Sequence, residues 1–323
     1  MQTKKDKNRN ETSRQTFIES YIGDKRKNKS PTFKISPEPV VKWAGGKRGL
    51  IEQYSRYFPS NFNHYFEPFF GGGAVFFHLS SLGLIKKAKI SDINSELINM
   101  YIVIRDNVEE LISELKSGKY YNDKEQYYKI RAEEPNDPVL RAARLIYLNH
   151  TCFNGLYRVN KKGKFNVPYG RYPKDVKIFD ENNLREVMLS LQNVEITVED
   201  FEESVKEAKE GDFIYFDPPY APLTKTADFT SYTKEGFGEN EQKRLAEVFR
   251  KLCDKGCYVM ESNSSAQIIK DLYSEFNIIT VRAKRYINSD PSGRKGVDEL
   301  LILSPNLLES AKFRKYHLNL NYI

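Results

Sequence analysis

The chain has 323 residues, with 51 Lys and Arg against 44 Asp and Glu, a formal charge of +7 and a pI near 9.0. A charged fraction of 29% and a mean hydropathy of −0.63 describe a soluble protein, and no apolar run approaches the roughly 20 residues that a membrane helix needs. Three cysteines (Cys152, Cys253, Cys257) exclude a disulfide framework and point to a reducing, cytoplasmic compartment. With four histidines in the whole chain, the C-x3-C pair at 253 and 257 does not read as a zinc site, and no metal is expected.

Residues 1–36 carry ten basic and four acidic side chains, few aliphatics and no apolar h-region. They read as a basic, disordered leader and not as a signal peptide. The folded body begins near Pro39. Val40 and Val41 lead into a glycine turn at 43–47 and a helix over Leu50–Tyr57. A strand over His64–Phe70 ends in Gly71-Gly72-Gly73, and a helix starts at Ala74. The next strand, Lys89–Ile93, carries Asp92 near its end; Asn94 caps a helix over Ser95–Asn107, with Glu96 in its first turn. Strand, glycine turn, helix, strand and acid form the first half of a doubly wound α/β sheet.

Residues 108–150 show helical apolar spacing through Leu111, Ile112 and Leu115, and again through Leu140, Ala143 and Ile146. The α/β pattern resumes at Val194–Val198 and at Phe213–Phe216, an apolar run suited to a strand covered on both faces. A helix over Glu239–Cys253, a strand over Cys257–Glu261, a helix over Ala266–Tyr273 and strands near Ile278–Ala283 and Glu299–Leu303 complete the pattern. The expected organisation is an α/β domain built from 37–107 and 190–323, interrupted by a mostly helical insertion at 108–189.

The basic charge is unevenly spread. Residues 141–180 carry nine basic and two acidic side chains, interleaved with aromatics such as Tyr147, Phe153, Tyr157 and Phe165. Cations meet phosphates, and flat rings stack on bases or wedge between them. The turn Lys161-Lys162-Gly163-Lys164 exposes part of this block as a loop or hairpin. It is the expected nucleic-acid surface.

Two other features carry chemistry. The turn Glu67-Pro68-Phe69-Phe70-Gly71-Gly72-Gly73 lets backbone approach a ligand closely. It departs from G-x-G-x-x-G, which counts against a nicotinamide oxidoreductase. Asp92 follows at about the 20-residue distance where an acid accepts hydrogen bonds from ribose hydroxyls. Asp217-Pro218-Pro219-Tyr220 is more specific: two prolines stiffen the chain beyond a buried strand and remove two donors. What remains is a carboxylate, free carbonyls and a ring, a set suited to the amino group of a flat base. Such an amine is a poor nucleophile because its lone pair is delocalised. Two acceptors, Asp217 and a proline carbonyl, favour its pyramidal state and hold it in line with a methyl donor.

Six blocks in this order resemble the Dam-type DNA adenine-N6 methyltransferases (D12 class, group alpha): Lys42–Arg48, Phe66–Gly73, Ser91–Leu97 with Asn99, Phe153–Arg158, Phe165–Gly170 and Asp217–Tyr220. Within that family the chain looks closest to the GATC-modifying methylases of type II restriction-modification systems. The resemblance spans about residues 39–303. It implies a Rossmann-like methyltransferase sheet, with 108–189 as a target-recognition domain, and S-adenosyl-L-methionine as cofactor. It places Trp43, Ala44, Gly45 and Lys47 near the cofactor, Glu67, Pro68, Phe69, Gly71 and Gly73 around its methionine part, and Asp92 with Ile93 on the ribose. Asp200 and Phe201 fall at the cofactor adenine, and Asp217 lies beside both cofactor and base.

By the same resemblance Asp217, Pro218, Pro219 and Tyr220 are catalytic. Lys42, Phe153, Asn154, Leu156, Arg158 and Pro168 meet double-stranded DNA, with Arg158 bidentate to guanine and Phe153 and Asn154 in the gap left by the extracted adenine. Phe229 and Tyr232, on the Thr- and Ser-rich loop after Tyr220, either close over the target base or belong to a plain loop. The implied activity is adenine-N6 methylation at GATC in a prokaryotic cytoplasm, paired in function with a GATC restriction endonuclease without a stable complex. An RNA adenine-N6 methyltransferase and a non-catalytic DNA-binding regulator are the alternatives.

Overall fold

The computed structural model describes residues 36–223, 237–283 and 297–310; the leader up to residue 35 lies outside them. Among the described residues one sheet is built from β1 (Tyr65–Glu67), β2 (Ala88–Asp92), β3 (Val194–Val198), β4 (Phe213–Phe216), β5 (Tyr258–Ser264), β6 (Asn277–Ala283) and β7 (Val297–Leu303). Its order is β3-β2-β1-β4-β5-β7-β6. The first five positions are parallel, and β7 runs antiparallel to both β5 and β6. This is the doubly wound, Rossmann-like sheet that the strand pattern predicts.

Period-two alternation assigns each strand's side chains to two cores. Phe213 and Tyr215 of β4 enter one core, Ile214 and Phe216 the other; Tyr65 and Phe66 of β1 divide in the same way. The smaller core is closed by α8 (Phe201–Ser204), α9 (Glu239–Asp254) and α10 (Gln267–Leu272). The larger lies under α1 (Ile51–Tyr54), α2 (Ala74–Ser81) and α3 (Ser95–Asp106). In α3 the Asn94 side chain accepts from the backbone N–H of Glu96 and Leu97, each at 3.1 Å, a cap worth about 1 kcal/mol. Leu97, Met100, Tyr101 and Ile104 form its buried stripe.

The segment between β2 and β3 supplies α4 (Val108–Leu115), α5 (Lys124–Ala132), α6 (Pro138–Thr151) and α7 (Glu181–Ser190). Asp137 caps α6 by accepting from Leu140 N at 2.9 Å, and Pro138 occupies its first turn, where a missing N–H costs nothing. The apolar faces of these helices continue the larger core without a break. Between α6 and α7 the chain makes a 3-10 turn at Phe153–Gly155 and then a tight hairpin. There Val159 bridges Phe165, and Asn160 N donates to the Lys164 carbonyl at 2.9 Å. Among the described residues no helix is long and apolar enough to cross a membrane.

Three elements differ from the sequence pattern by three residues at one end; the other boundaries shift by two residues or fewer. The helix expected over Leu50–Tyr57 shrinks to a 3-10 turn at Lys47–Gly49 followed by α1. β1 stops at Glu67, since Pro68 has no N–H for the ladder. β5 runs three residues beyond Glu261 through the polar Ser262-Asn263-Ser264, because β7 pairs with it as far as Ser264 opposite Glu299.

Candidate active site

Strand order reverses between β1 and β4, so their carboxyl ends open on a crevice where such sheets take ligands. The Glu67–Gly73 turn forms one wall. Gly71 and Gly73 have φ of +47° and +68°, left-handed backbone that suits glycine. A Cβ on Gly71 would lie 2.7 Å from Trp43 Cδ1, and one on Gly73 would strike the Phe70 ring. Gly71 N donates to Asp92 Oδ2 at 3.1 Å, Asn94 N donates to Asp92 Oδ1 at 2.9 Å, and the Tyr101 hydroxyl donates to the Gly71 carbonyl at 3.1 Å. Burial pushes the Asp92 carboxyl up to about 6, against the pull of those backbone donors. Glu67 is buried and accepts from the Tyr65 hydroxyl at 2.9 Å; burial holds its carboxyl well above the ordinary range.

The other wall follows β4. Asp217 Oδ1 accepts from Lys47 Nζ and from Ser262 Oγ, each at 2.8 Å. Ser262 Oγ lies 2.9 Å from the Tyr215 hydroxyl. Lys47 also donates to the Gly45 carbonyl, and its ammonium stands 4.8 Å from the Tyr220 ring centroid. With a side chain only 3% exposed, this cation needs its carboxylate partner. The Tyr220 hydroxyl donates to Glu299 Oε2 on β7 at 2.6 Å. Burial raises the Asp217 carboxyl; the Lys47 charge, then hydrogen bonds from Lys47 and Ser262, pull it back. The Pro219 carbonyl accepts from Gln242 Nε2 at 2.9 Å. Among the described residues nothing donates to the Pro218 carbonyl.

Behind this wall Glu261 accepts from Asn263 Nδ2 at 2.9 Å and from the Tyr273 hydroxyl at 2.5 Å. Burial pushes its carboxyl up to about 7 from an ordinary 4.5. A raised folded-state pKa means that the folded form holds the proton more tightly. The stability this group contributes is full below about 4.5 and is lost as pH rises through about 7. Glu261→Gln removes that dependence, so the Tm of the variant should gain on wild type between pH 5 and pH 8; a difference that stays constant with pH would refute this.

Sequence blocks far apart meet at the crevice edge. The Asn149 side chain accepts from Lys42 N and donates to the Lys42 carbonyl, both at 2.8 Å, and donates to the Gly155 carbonyl at 3.0 Å. Trp43 packs on Tyr157 with ring centroids 5.2 Å apart. The 149–157 segment is thereby tied to the 42–47 turn beside Asp217. Phe153 and Leu156 stand 50% and 41% exposed, and Asn154 adopts left-handed backbone at φ +56°. Phe153 N donates to the carbonyl of the exposed Pro168 at 2.9 Å. Arg158 Nε donates to Asn166 Oδ1 at 2.8 Å. Tyr127 and Arg131 both donate to the Val167 carbonyl, at 2.8 and 3.0 Å.

The remaining expected residues lie along the β1 to β3 side. Ile93 is 56% exposed just past Asp92. Phe201 stacks on Phe69 at 5.4 Å, and the Arg244 guanidinium lies 4.1 Å from the Phe201 centroid. Asp200 takes a two-point contact from Arg244, at 2.9 and 2.6 Å, and caps α8 through Glu202 N at 3.0 Å. Its carboxylate is thus already engaged. Phe229 and Tyr232 lie outside the described residues. Asn149 and Asn166 lie in the basic, aromatic block and the Phe165–Gly170 motif without a role of their own there, whereas Ser262, Gln242 and Glu299 are not expected from the sequence. For these three the signal in the chain is the unusual polar run Glu261-Ser262-Asn263-Ser264 at the end of an apolar strand.

The family model of the D12 class N6 adenine-specific DNA methyltransferases matches residues 43–287. The chain is 46% identical over 277 residues to type II methyltransferase M1.LlaDCHI of Lactococcus lactis subsp. cremoris, covering 83% of this chain and 96% of the relative. It is 47% identical over 286 residues to type II methyltransferase M.MjaIII of Methanocaldococcus jannaschii, covering 83% and 99%. It is 35% identical over 277 residues to the DNA adenine methylase of Escherichia coli strain K12, covering 84% and 97%.

Proposed function

The chain belongs to the D12 class N6 adenine-specific DNA methyltransferases, and on that premise we propose that it transfers a methyl group from S-adenosyl-L-methionine to N6 of an adenine flipped out of duplex DNA, at GATC. The observation that carries this reading is the Asp217–Tyr220 segment at the switch point. A carboxylate, the Pro218 carbonyl and the Tyr220 ring stand together there, with Lys47 opposing the burial that raises the Asp217 carboxyl.

The crevice fits the proposed cofactor. The left-handed Gly71 and Gly73 backbone packs on the Trp43 and Phe70 rings and fixes the turn beside Asp92, and Asp92 offers acceptor lone pairs for ribose hydroxyls. Trp43, Ala44, Gly45 and Lys47 would stand near it, the Glu67–Gly73 turn around its methionine part, Asp92 and Ile93 on its ribose, and Asp200 with Phe201 at its adenine, where Arg244 holds the Asp200 carboxylate. When bound, the cofactor supplies an electrophilic methyl group on a sulfonium.

The chain's own part is to bind and orient the amine. Asp217 accepts one N–H of the target and the Pro218 carbonyl accepts the other. The Tyr220 ring, held by Glu299, stacks on the base. The lone pair is thereby turned out of conjugation and toward the methyl group. An adenine inside a duplex has its amino group paired, so it must leave the stack. Phe153 and Asn154 fill the gap, Lys42 holds DNA near the target, and Leu156, Arg158 and Pro168 meet base edges. Residues 108–189 act as the recognition part and 37–107 with 190–323 as the catalytic part. The physiological setting is cytoplasmic, with protection of DNA against a GATC endonuclease that forms no stable complex with the enzyme.

DNA from a host lacking its own adenine methylase, isolated after expression of the protein, should resist methylation-sensitive GATC cleavage; full cleavage would refute the site. Duplex RNA should accept no tritiated methyl in the same buffer. Asn166 aims Arg158 through the 2.8 Å bond to its Nε. Asn166→Ala should therefore lower the preference for GATC over sites with one changed guanine by about tenfold, the worth of part of a bidentate contact. Cofactor affinity should stay as it is; an unchanged preference would remove Asn166 from recognition.

A further inference from the structure

Gln242 belongs to none of the sequence blocks, yet it is a buried polar residue of α9. Its amide is held at both ends. Nε2 donates to the Pro219 carbonyl at 2.9 Å, and Oε1 accepts from Asn263 Nδ2 at 3.0 Å. Asn263 Nδ2 also donates to Glu261 Oε1 at 2.9 Å, and Tyr273 closes the chain on Glu261 Oε2 at 2.5 Å. Asn263 Oδ1 accepts from Ser264 N at 2.8 Å and Ala221 N at 3.4 Å, and Ser264 Oγ donates to the Ala221 carbonyl at 2.6 Å. Gln242, Asn263, Glu261 and Tyr273 are all fully or almost fully buried.

The polarity of this chain is set at Asn263. Backbone N–H groups only donate, so Ser264 N and Ala221 N fix Asn263 Oδ1 and turn its NH2 toward Glu261. The same NH2 faces Gln242 Oε1, which leaves the Gln242 NH2 for Pro219. One network thus grips the backbone on both sides of Tyr220: the Pro219 carbonyl before it and the Ala221 N–H after it. With the Pro219 carbonyl turned back into the core, Pro218 is the proline whose carbonyl no described residue engages, which leaves it for the target amine.

On the methyl-transfer reading of the site, we propose that Gln242, backed by Asn263, Glu261 and Tyr273, is a positioning residue that sets the Pro218 carbonyl and the Tyr220 ring against the target amino group. It acts through the backbone of the Asp217–Ala221 segment and touches neither the base nor the cofactor. Its effect falls on the chemical step and not on binding.

Gln242→Met keeps the length of the side chain and removes both hydrogen bonds. Its single-turnover rate of tritiated methyl transfer to duplex GATC DNA should fall about tenfold or more, because small misplacements of reacting groups have large kinetic effects. The Kd for S-adenosylmethionine and for the DNA should stay within about twofold of wild type under the same principle, as no binding contact is lost. Tyr273→Phe removes one hydroxyl at the far end of the network and keeps its ring in the core. It should lower the same rate by about threefold, the scale of one hydrogen bond in a coupled network. This second variant decides the matter if the first does not fold. An unchanged single-turnover rate in a folded variant, or a loss seen only in Kd, would overturn the positioning role while wild-type turnover upheld the site. A wild-type protein that binds duplex DNA and cofactor without transferring methyl would overturn the reading of the site, and the role of Gln242 with it.

Discussion

Asp217→Ala should lower methyl transfer to duplex DNA by about 10³-fold or more, the loss expected when one of two fixed partners of a reacting group is removed from an enclosed site. Asp217 follows a strand with all four residues buried, and its carboxylate is held by Lys47 and Ser262 at 2.8 Å each. It is one of two acceptors proposed for the target amine, so its removal leaves N6 conjugated and poorly aligned. Stability should fall as well, by about 3–5 kcal/mol, because the buried Lys47 ammonium loses its carboxylate and keeps only the Gly45 carbonyl and the face of the Tyr220 ring. Asp217→Asn retains an acceptor oxygen and should keep more activity than the alanine variant. Tritiated methyl incorporation beside a thermal melt separates these effects. Normal incorporation by Asp217→Ala would end the assignment of Asp217.

Lys47→Met should move the acid limb of the pH–activity profile upward by about 1–3 units, the usual effect of removing a cation in contact with a buried carboxylate. The sign follows from the chemistry. Asp217 works as an acceptor in its ionised form, burial already raises its carboxyl, and the Lys47 charge is the largest opposing influence. The other titratable groups that feel Asp217 are Tyr54, Tyr65, Glu67, Tyr215, Tyr220 and Glu261. None of them supplies a positive charge, so nothing replaces the lysine. Each unit by which the limb passes the assay pH lowers turnover about tenfold, and activity should return as the pH is raised. Lys47→Arg keeps the charge and should keep the limb near its wild-type place. A single-turnover profile of Lys47→Met that coincides with wild type at every pH would separate Lys47 from the ionisation of Asp217.

Lys47 also shows how a residue's meaning depends on its surroundings. In the chain it is a lysine after two glycines, equally suited to a solvated helix end. In the fold it is a buried cation whose ammonium reaches Asp217, a residue 170 positions further on. Arg158 changes less. Its place in a basic, aromatic segment already suggested DNA, and the structure adds the Asn166 oxygen that orients its guanidinium.

The amino-acid sequence by itself determined what depends on neighbours a few positions apart. β3 and β4 begin and end where their apolar runs do, Asn94 caps the helix that its type and place predict, and the glycine turn and the Asp217–Tyr220 segment follow strands. These features rest on period-two burial, capping and the backbone rules of glycine and proline, all local in range. Tertiary structure alone decided which distant groups complete the site. The placement of β7 between β5 and β6 prolongs β5 through Ser262 and Asn263 and brings Glu299 to Tyr220. The packing of α9 carries Gln242 to Pro219, and so selects between two prolines that are alike in the chain. No local pattern encodes these pairings, because each forms only when sheet order and the burial of unpaired polar groups are satisfied together across the whole fold.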